Sequence, residues 1–302
     1  MTSVLQAPQF QDEAAAYAYV ERHLWPTGPI CPHCGNCDPR KVGRLNGKTT
    51  RIGLRKCYEC RKPFTVKMGS IFEDSHAPLR YWLQAIYLMC SSKKGISTRQ
   101  LQRTLGVGMK TAWFMGHRIR HAMAPANAGP IGGPGSTVEA DETYLAKSPK
   151  TRKPAGLPLN ARPAPQVFSL VERGGNIRSM YLDDKNVRNA LFKHLHEDSR
   201  LVTDGATVYR GQVLKHESVD HSKYEWARGD VHVNTLEGFF SIFKRGLVGV
   251  FQHIDKKHLD RYLAEFDFRQ NTRAKLGIND MQRTGIAVAG AAGKRLTYET
   301  TH

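Results

Sequence analysis

The 302-residue chain carries 45 Lys and Arg against 27 Asp and Glu, a formal net charge of +18 and a pI near 9.8. That length buries a substantial core and predicts two or three domains, while the charge favours a polyanionic partner, nucleic acid ahead of an anionic membrane surface. No run of about 18 apolar residues occurs and the N-terminus lacks the basic and apolar regions of a signal segment. Both facts argue against a membrane-inserted chain and for a soluble intracellular one.

Helix-forming residues from Ala14 to Leu24 end at Pro26, Gly28 and Pro29. Cys31 and Cys34 then form one CxxC knuckle and Cys57 and Cys60 a second, with 22 residues between. Four thiolates so spaced can close tetrahedrally on one Zn²⁺ and hold a fold too small for a core of its own. Cys37 and His33 leave a shifted ligand set open, whereas Cys90, on an apolar stretch, reads as a buried small residue. Between Arg40 and Lys67 there are ten Lys or Arg and one acidic residue, Glu59, either a solvated face or a phosphate-contacting one.

Pro78–Ser91 predicts a helix, Ser97 caps a second running to Thr104, Gly106 supplies a turn, and Met109–Met123 forms a third. This is a helix-turn-helix pattern, in which Lys110, Thr111, His117, Arg118 and Arg120 are expected to face DNA. Ala124–Ser136, rich in Gly, Pro and Ala, reads as a linker. Strands follow at Thr137–Leu145, Gln166–Glu172 and Ile177–Leu182, the last two joined by a hairpin turn at Arg173–Asn176. Lys147–Arg162, with five basic residues and no acidic one, is expected to be a mobile loop. Asn186–Glu197 is helical, Leu201–Thr203 a strand, and the sequence to Asp230 irregular. Helices return over Val231–Gly249 and Lys257–Arg273, and the tail after Lys275 carries little pattern. The expected organisation is a helix and ribbon over 1–75, a helix-turn-helix module over 76–124, a linker over 125–136, an α/β domain over 137–275 and a tail over 276–302.

The chemistry gathers on Val231–Gly249. At 100° per residue, Asn234, Glu237, Ser241 and Lys244 share a narrow stripe, and Leu236, Phe239, Phe240, Phe243 and Leu247 cover a wider one. Two upstream aspartates, Asp141 in STVEADETYL and Asp204 in RLVTDGATVYRG, end or interrupt strand-like runs. Carboxylates that converge from separate elements must bind cations or shift their pKa values. Alternation puts Glu139 and Asp141 on one strand face, so pattern alone does not separate them. Asp183, Asp184 and Asp230 read as turn or cap residues, and His232 either touches a phosphate or packs.

Three strands in a meander, a helix, a fourth strand and later helices match the element order of the RNase H-like fold, a mixed sheet with flanking helices. The segments VEADETYL, LVTDGA and VHVNTLEGFFSIFKRGLVG, behind the CxxC…CxxC ribbon, resemble the bacterial insertion-sequence transposases of the DDE superfamily with an N-terminal zinc ribbon, over residues 14 to 273. The resemblance implies metal-dependent DNA strand cleavage and strand transfer, with Asp141 and Asp204 as ligands of two Mg²⁺ or Mn²⁺ ions. The third position is Glu237 or Asn234. Glu237 is favoured because Lys244 follows it by seven residues and a carboxylate is the stronger hard-cation ligand. Lys244 and Arg245 would then face DNA phosphates. The resemblance also implies double-stranded DNA partners, namely terminal inverted repeats and target DNA, and at least a dimer on DNA in the bacterial cytoplasm at the nucleoid. The competing expectations are a DNA-binding regulator with an inactive nuclease-like domain and a nuclease that cuts without joining.

Overall fold

The computed structural model describes residues 3–125, 129–145, 166–182, 186–205, 209 and 215–297. The chain divides into two compact units, Met1–Ala126 with Arg273–His302, and Asn127–Thr272.

In the first unit, short α1 (Pro8–Gln11) leads into α2 (Glu13–Leu24), whose N-terminus is capped by the Asp12 carboxylate accepting from Ala15 N–H. Three short strands, β1 (Val42–Arg44), β2 (Arg55–Cys57) and β3 (Pro63–Phe64), form an antiparallel sheet that pairs Val42 with Cys57. Glu21, buried on α2, joins ribbon to helix by accepting from Arg44 and Arg55 at 2.7 Å each. Unpaired, that carboxylate would cost several kcal/mol; two guanidiniums make its burial tolerable.

Helices α3 (Leu79–Ser91), α4 (Thr98–Leu105) and α5 (Met109–Met123) lie within about one residue of the positions expected from the sequence. Ser97 caps α4 through Gln100 N–H, and Gly106 ends it at φ +65°, where a side chain would be strained. The Glu13 carboxylate accepts from Leu79 and Arg80 N–H and so caps α3. Cys90 is buried on α3, as a small apolar residue should be. The C-terminal segment, which carries no apolar periodicity, folds as a helix (Asp280–Ala289) in this unit, with Arg283 donating to Cys90 O. Its small residues permit close approach: a Cβ on Gly290 would meet Ala122 O at 2.4 Å. Packing by absent side chains leaves no hydrophobic pattern to read.

The second unit holds a five-stranded sheet in the order β6-β5-β4-β7-β8. Its strands are β4 (Thr137–Tyr144), β5 (Gln166–Glu172), β6 (Ile177–Leu182), β7 (Arg200–Asp204) and β8 (His216–Val219). β4, β5 and β6 run antiparallel; β7 lies parallel to β4, and β8 parallel to β7. No pattern in the sequence marks β8, because His216-Glu-Ser-Val is polar and only Val219 is buried. On one face Val138, Ala140, Phe168, Leu170 and Leu201 pack with α6 (Val187–His194). On the other, Val167 and Val171 pack with Leu236, Phe239, Phe240 and Phe243 of α7 (Asn234–Gly246) and with Leu259, Leu263 and Phe266 of α8 (Leu259–Asn271). The edge of β6 is covered by α8: Asp260, Asp267 and Asn271 accept from the N–H groups of Tyr181, Ser179 and Ile177. Those bonds remove the free strand edge that would otherwise invite pairing. The predicted loop over 147–162, with Asp183 and Asp184, lies outside the described residues.

Candidate active site and zinc centre

The ribbon places the thiols of Cys31, Cys34, Cys57 and Cys60 within 4.8 Å of one another. Cys31 Sγ and Cys60 Sγ stand 3.7 Å apart, as do Cys34 Sγ and Cys57 Sγ. A tetrahedron of roughly 2.3 Å Zn–S bonds has edges of about 3.8 Å, so the four sulfurs fit one structural Zn²⁺. The backbone N–H of Cys60, aided by the Asn36 amide and the Glu59 N–H, holds the Cys57 thiol down to about 6, against the cost of desolvation. Cys37 is exposed and stands outside this set. His33 Nε2 lies 3.2 Å from Pro63 O.

In the second unit the β4–β7 register pairs Ala140 with Thr203, and the next residues along these parallel strands are Asp141 and Asp204. Glu139 and Asp141 share the α7 face of β4, and the structure separates them. Glu139 is fully buried and accepts from Thr235 and Leu236 at the start of α7 and from Arg173. Asp141 is only partly buried, beside Asp204. Burial, then the charge of Asp204, and after these the charges of Glu142 and Glu237, raise the Asp141 carboxyl to about 7, although the Glu142 N–H donates to it at 2.7 Å.

Asn234, Glu237, Ser241 and Lys244 are all exposed on α7, opposite its buried phenylalanines. The amphipathic division expected from the sequence therefore holds. The charges of Asp204 and Glu237 both reach Asp141. Three hard oxygen donors from a first strand, a fourth strand and a helix, with the proton on Asp141 held chiefly by burial and then by the charge of Asp204, could hold divalent cations, whose charge would favour the ionised form.

Glu142 and Tyr209 had no signal in the sequence beyond their residue types. The Tyr209 hydroxyl donates to the Glu142 carboxylate, and burial raises the pKa of both groups. His232 packs against Arg173 and Glu139 instead of facing outward, its Nδ1 3.3 Å from Arg173 Nη2. Asp230 pairs with Arg200, as a turn residue would.

In the helical module the expected DNA-facing set divides. Lys110 is exposed, and Thr111 partly so. His117 and Arg120 are buried, 1 % and 3 % exposed, and Arg118 donates to Ile71 O and Glu73 O, so these three are inner residues of the unit. The expectation failed because α5 is packed along most of its length, leaving only its first turn outward. Residues 75–138 contain eight Lys or Arg and no acid, and Lys93, Lys94, Arg99 and Arg103 are exposed beside Lys110.

A sheet with carboxylates on two adjacent strands and on a packed helix, in a chain with a four-thiol ribbon, reads as a transposase-type protein once known proteins are compared. The ISXO2-like transposase domain matches residues 132–271, and the transposase zinc-ribbon domain matches residues 11–63. An uncharacterized protein in the transposable element ISH50 of Halobacterium salinarum is 28 % identical over 288 residues, spanning 89 % of this chain and 94 % of that protein. The chain belongs to the insertion-sequence transposases that place a zinc ribbon ahead of a DDE domain. Membership implies DNA as partner and a structural zinc in the ribbon. Among the described residues no helix is long and apolar enough to cross a membrane.

Proposed function

We propose that this transposase cuts DNA at the ends of its element and joins the freed ends to a target, using Asp141, Asp204 and Glu237 to hold two divalent cations in an RNase H-like domain. The observation that supports the reading is that Asp141 on β4, raised to about 7 chiefly by burial and then by the charge of Asp204 on β7, also lies within reach of the charge of Glu237 on α7. The β6-β5-β4-β7-β8 order, antiparallel then parallel, is the sheet such a domain needs. Glu237, whose charge reaches Asp141, is the better third ligand; Asn234, one turn before it, orients the scissile phosphate or its water through the amide.

Bound Mg²⁺ or Mn²⁺ would lower the pKa of water and stabilise the departing 3′ oxygen. The chain's own residues supply placement. Lys244 and Arg245, exposed two turns along α7, reach the flanking phosphates. In the first step water adds to the end phosphorus as the P–O3′ bond breaks, leaving a 5′ phosphate and a 3′ hydroxyl. In the second, that hydroxyl displaces a 3′ oxygen from a target phosphorus, exchanging one phosphodiester for another. Neither step needs a covalent protein nucleophile.

End recognition falls to the ribbon and to α4 with the first turn of α5, where Arg99, Arg103 and Lys110 are exposed. Joining two ends requires at least two copies of the chain. The test is Mg²⁺-dependent cleavage and joining of a labelled duplex carrying the gene-flanking ends. Wild type should do both, Asp204→Ala and Glu237→Ala should bind the duplex and do neither, and Asn234→Ala should retain cleavage. Tight binding with equal inertness of all four proteins would leave a DNA-binding regulator; cleavage without joining would leave a nuclease.

A further inference from the structure

Glu139 accepts four hydrogen bonds, and nothing in the proposed chemistry needs it. Its side chain is 0 % exposed. Oε2 accepts from Thr235 N–H at 3.0 Å and Leu236 N–H at 3.3 Å; Oε1 accepts from Thr235 Oγ1 and Arg173 Nε, both at 2.9 Å. Thr235 and Leu236 are the second and third residues of α7, and the N-cap residue before it, Val233, has no side-chain acceptor to cap it. Arg173, in the β5–β6 turn, then donates to Asp230 O and His232 O, the latter at 2.8 Å. One buried acid and one arginine thus bind the chain just before α7 and the first turn of α7 to the middle of β4.

The same two elements carry the cation ligands. Asp141 lies two residues beyond Glu139 on the same face, about 6.8 Å along the strand. Glu237 lies two residues beyond Thr235, about 3 Å along the helix. The Glu139 cap is therefore the nearest fixed point to both, and its length sets how far Glu237 stands from Asp141. We propose that Glu139, locked by Arg173, is a positioning residue that sets the span between the β4 and α7 ligands. A buried glutamate is a costly cap where a serine or aspartate would serve any helix; its reach and rigidity are what a site tolerant of roughly 0.5 Å requires.

This inference rests on the proposed cation site, and its test separates the two. Wild type, Glu139→Asp, Glu139→Gln and Arg173→Lys are compared by direct Mn²⁺ titration, amide exchange, duplex binding and cleavage. Glu139→Asp keeps the charge but retracts the cap by one C–C bond, about 1.5 Å. It should weaken Mn²⁺ half-saturation at least tenfold and slow cleavage on the order of 100-fold, with duplex binding unchanged and cleavage partly restored at high Mn²⁺. Glu139→Gln, which keeps the length, should be milder in Mn²⁺ affinity, and Arg173→Lys, which keeps the charge but loses the fork, milder still. In all three the Thr235 and Leu236 amides should exchange faster than in wild type. Should Glu139→Asp bind Mn²⁺ as wild type does, or should loss track only the fall in melting temperature, the positioning role is overturned. If wild type itself neither binds Mn²⁺ nor cleaves, the catalytic reading fails instead. The cap is then judged by exchange alone: unchanged protection at Thr235 and Leu236 in Glu139→Asp refutes it, and lost protection sustains it.

Discussion

The ribbon and the carboxylate centre are both built from four or fewer side chains on separate elements, yet their donor chemistry makes them assemble differently. The thiols already sit at the 3.7 Å spacing of a zinc tetrahedron. At the carboxylates, burial and then the charge of Asp204 raise Asp141 to about 7, with Glu237 contributing less. Thiols are weak hydrogen-bonding groups that pack like small apolar residues, so turn geometry brings them together, with Cys57 held down to about 6. Carboxylates lose solvation when buried and repel as they approach, and a bound cation would offset both. A structural site is closed by its fold, and a catalytic one is left to be completed by what it binds.

The largest effect that could break this contrast is removal of zinc. Structural zinc contributes about 10–16 kcal/mol of apparent folding free energy in small ribbons. Chelation, or Cys57→Ser, should abolish the calorimetric transition of the unit carrying the ribbon and with it duplex binding. The transition of the unit spanning Asn127–Thr272 should persist. Insensitivity of both transitions to chelation would mean that the thiols are held by packing alone.

Next in size is the reverse effect at the carboxylates. Asp141 is raised to about 7 in the folded chain from about 3.9 unfolded. Its contribution to stability is thus fully present below about pH 4 and is lost as pH rises through 7. Asp141→Asn should remove that slope and, without divalent cations, stabilise the unit at pH 8 on the order of 2–4 kcal/mol while abolishing cleavage. Mg²⁺ should stabilise wild type at pH 8 and leave Asp141→Asn nearly unmoved. Equal response of the two proteins to Mg²⁺ would place the cations elsewhere.

Asp267 sharpens that test because burial raises it to about 7 as well, against the hydrogen bonds from Ser179 that favour its ionised form. Its role is to cover the β6 edge. Asp267→Asn should flatten stability between about pH 4 and 7 in the same direction by a smaller amount, since one of two acceptor oxygens is lost. Its response to Mg²⁺ should match wild type. Thermal melts across pH with and without Mg²⁺ therefore separate a carboxylate buried for architecture from one that binds a cation.

These residues also mark where reading the sequence succeeds and fails. Spacing and periodicity located the ribbon thiols, α3 to α5, the β5–β6 hairpin and the two faces of α7, because each is a local pattern of cysteines, caps or apolar residues. Asp141 could not be told from Glu139, since both lie on one strand face and only the neighbour across the sheet decides which is consumed. β8 was illegible because a short polar parallel strand has no alternation. The C-terminal helix was illegible because Gly285 and Gly290 pack through close approach, with no apolar bulk to repeat. The inner positions of His117, Arg118 and Arg120 were missed because basic residues on a helix suggest a partner outside the chain, whereas Arg118 spends its donors on Ile71 and Glu73 carbonyls of the same unit.

The smallest effect tests that last division. Arg103 is exposed on α4 and should serve as a phosphate contact, so Arg103→Ala should weaken duplex binding a few-fold for all sequences and reduce the salt slope by about 1, with little change in melting temperature. Arg118→Ala should do the opposite. Removing a guanidinium that satisfies two carbonyls costs about 1–3 kcal/mol, read as a lower melting temperature of the first unit, while the salt slope of the folded fraction stays as in wild type. If Arg118→Ala lowers the slope and Arg103→Ala does not, then α5 reads DNA along its length after all. Its inner arginines must then turn outward on binding.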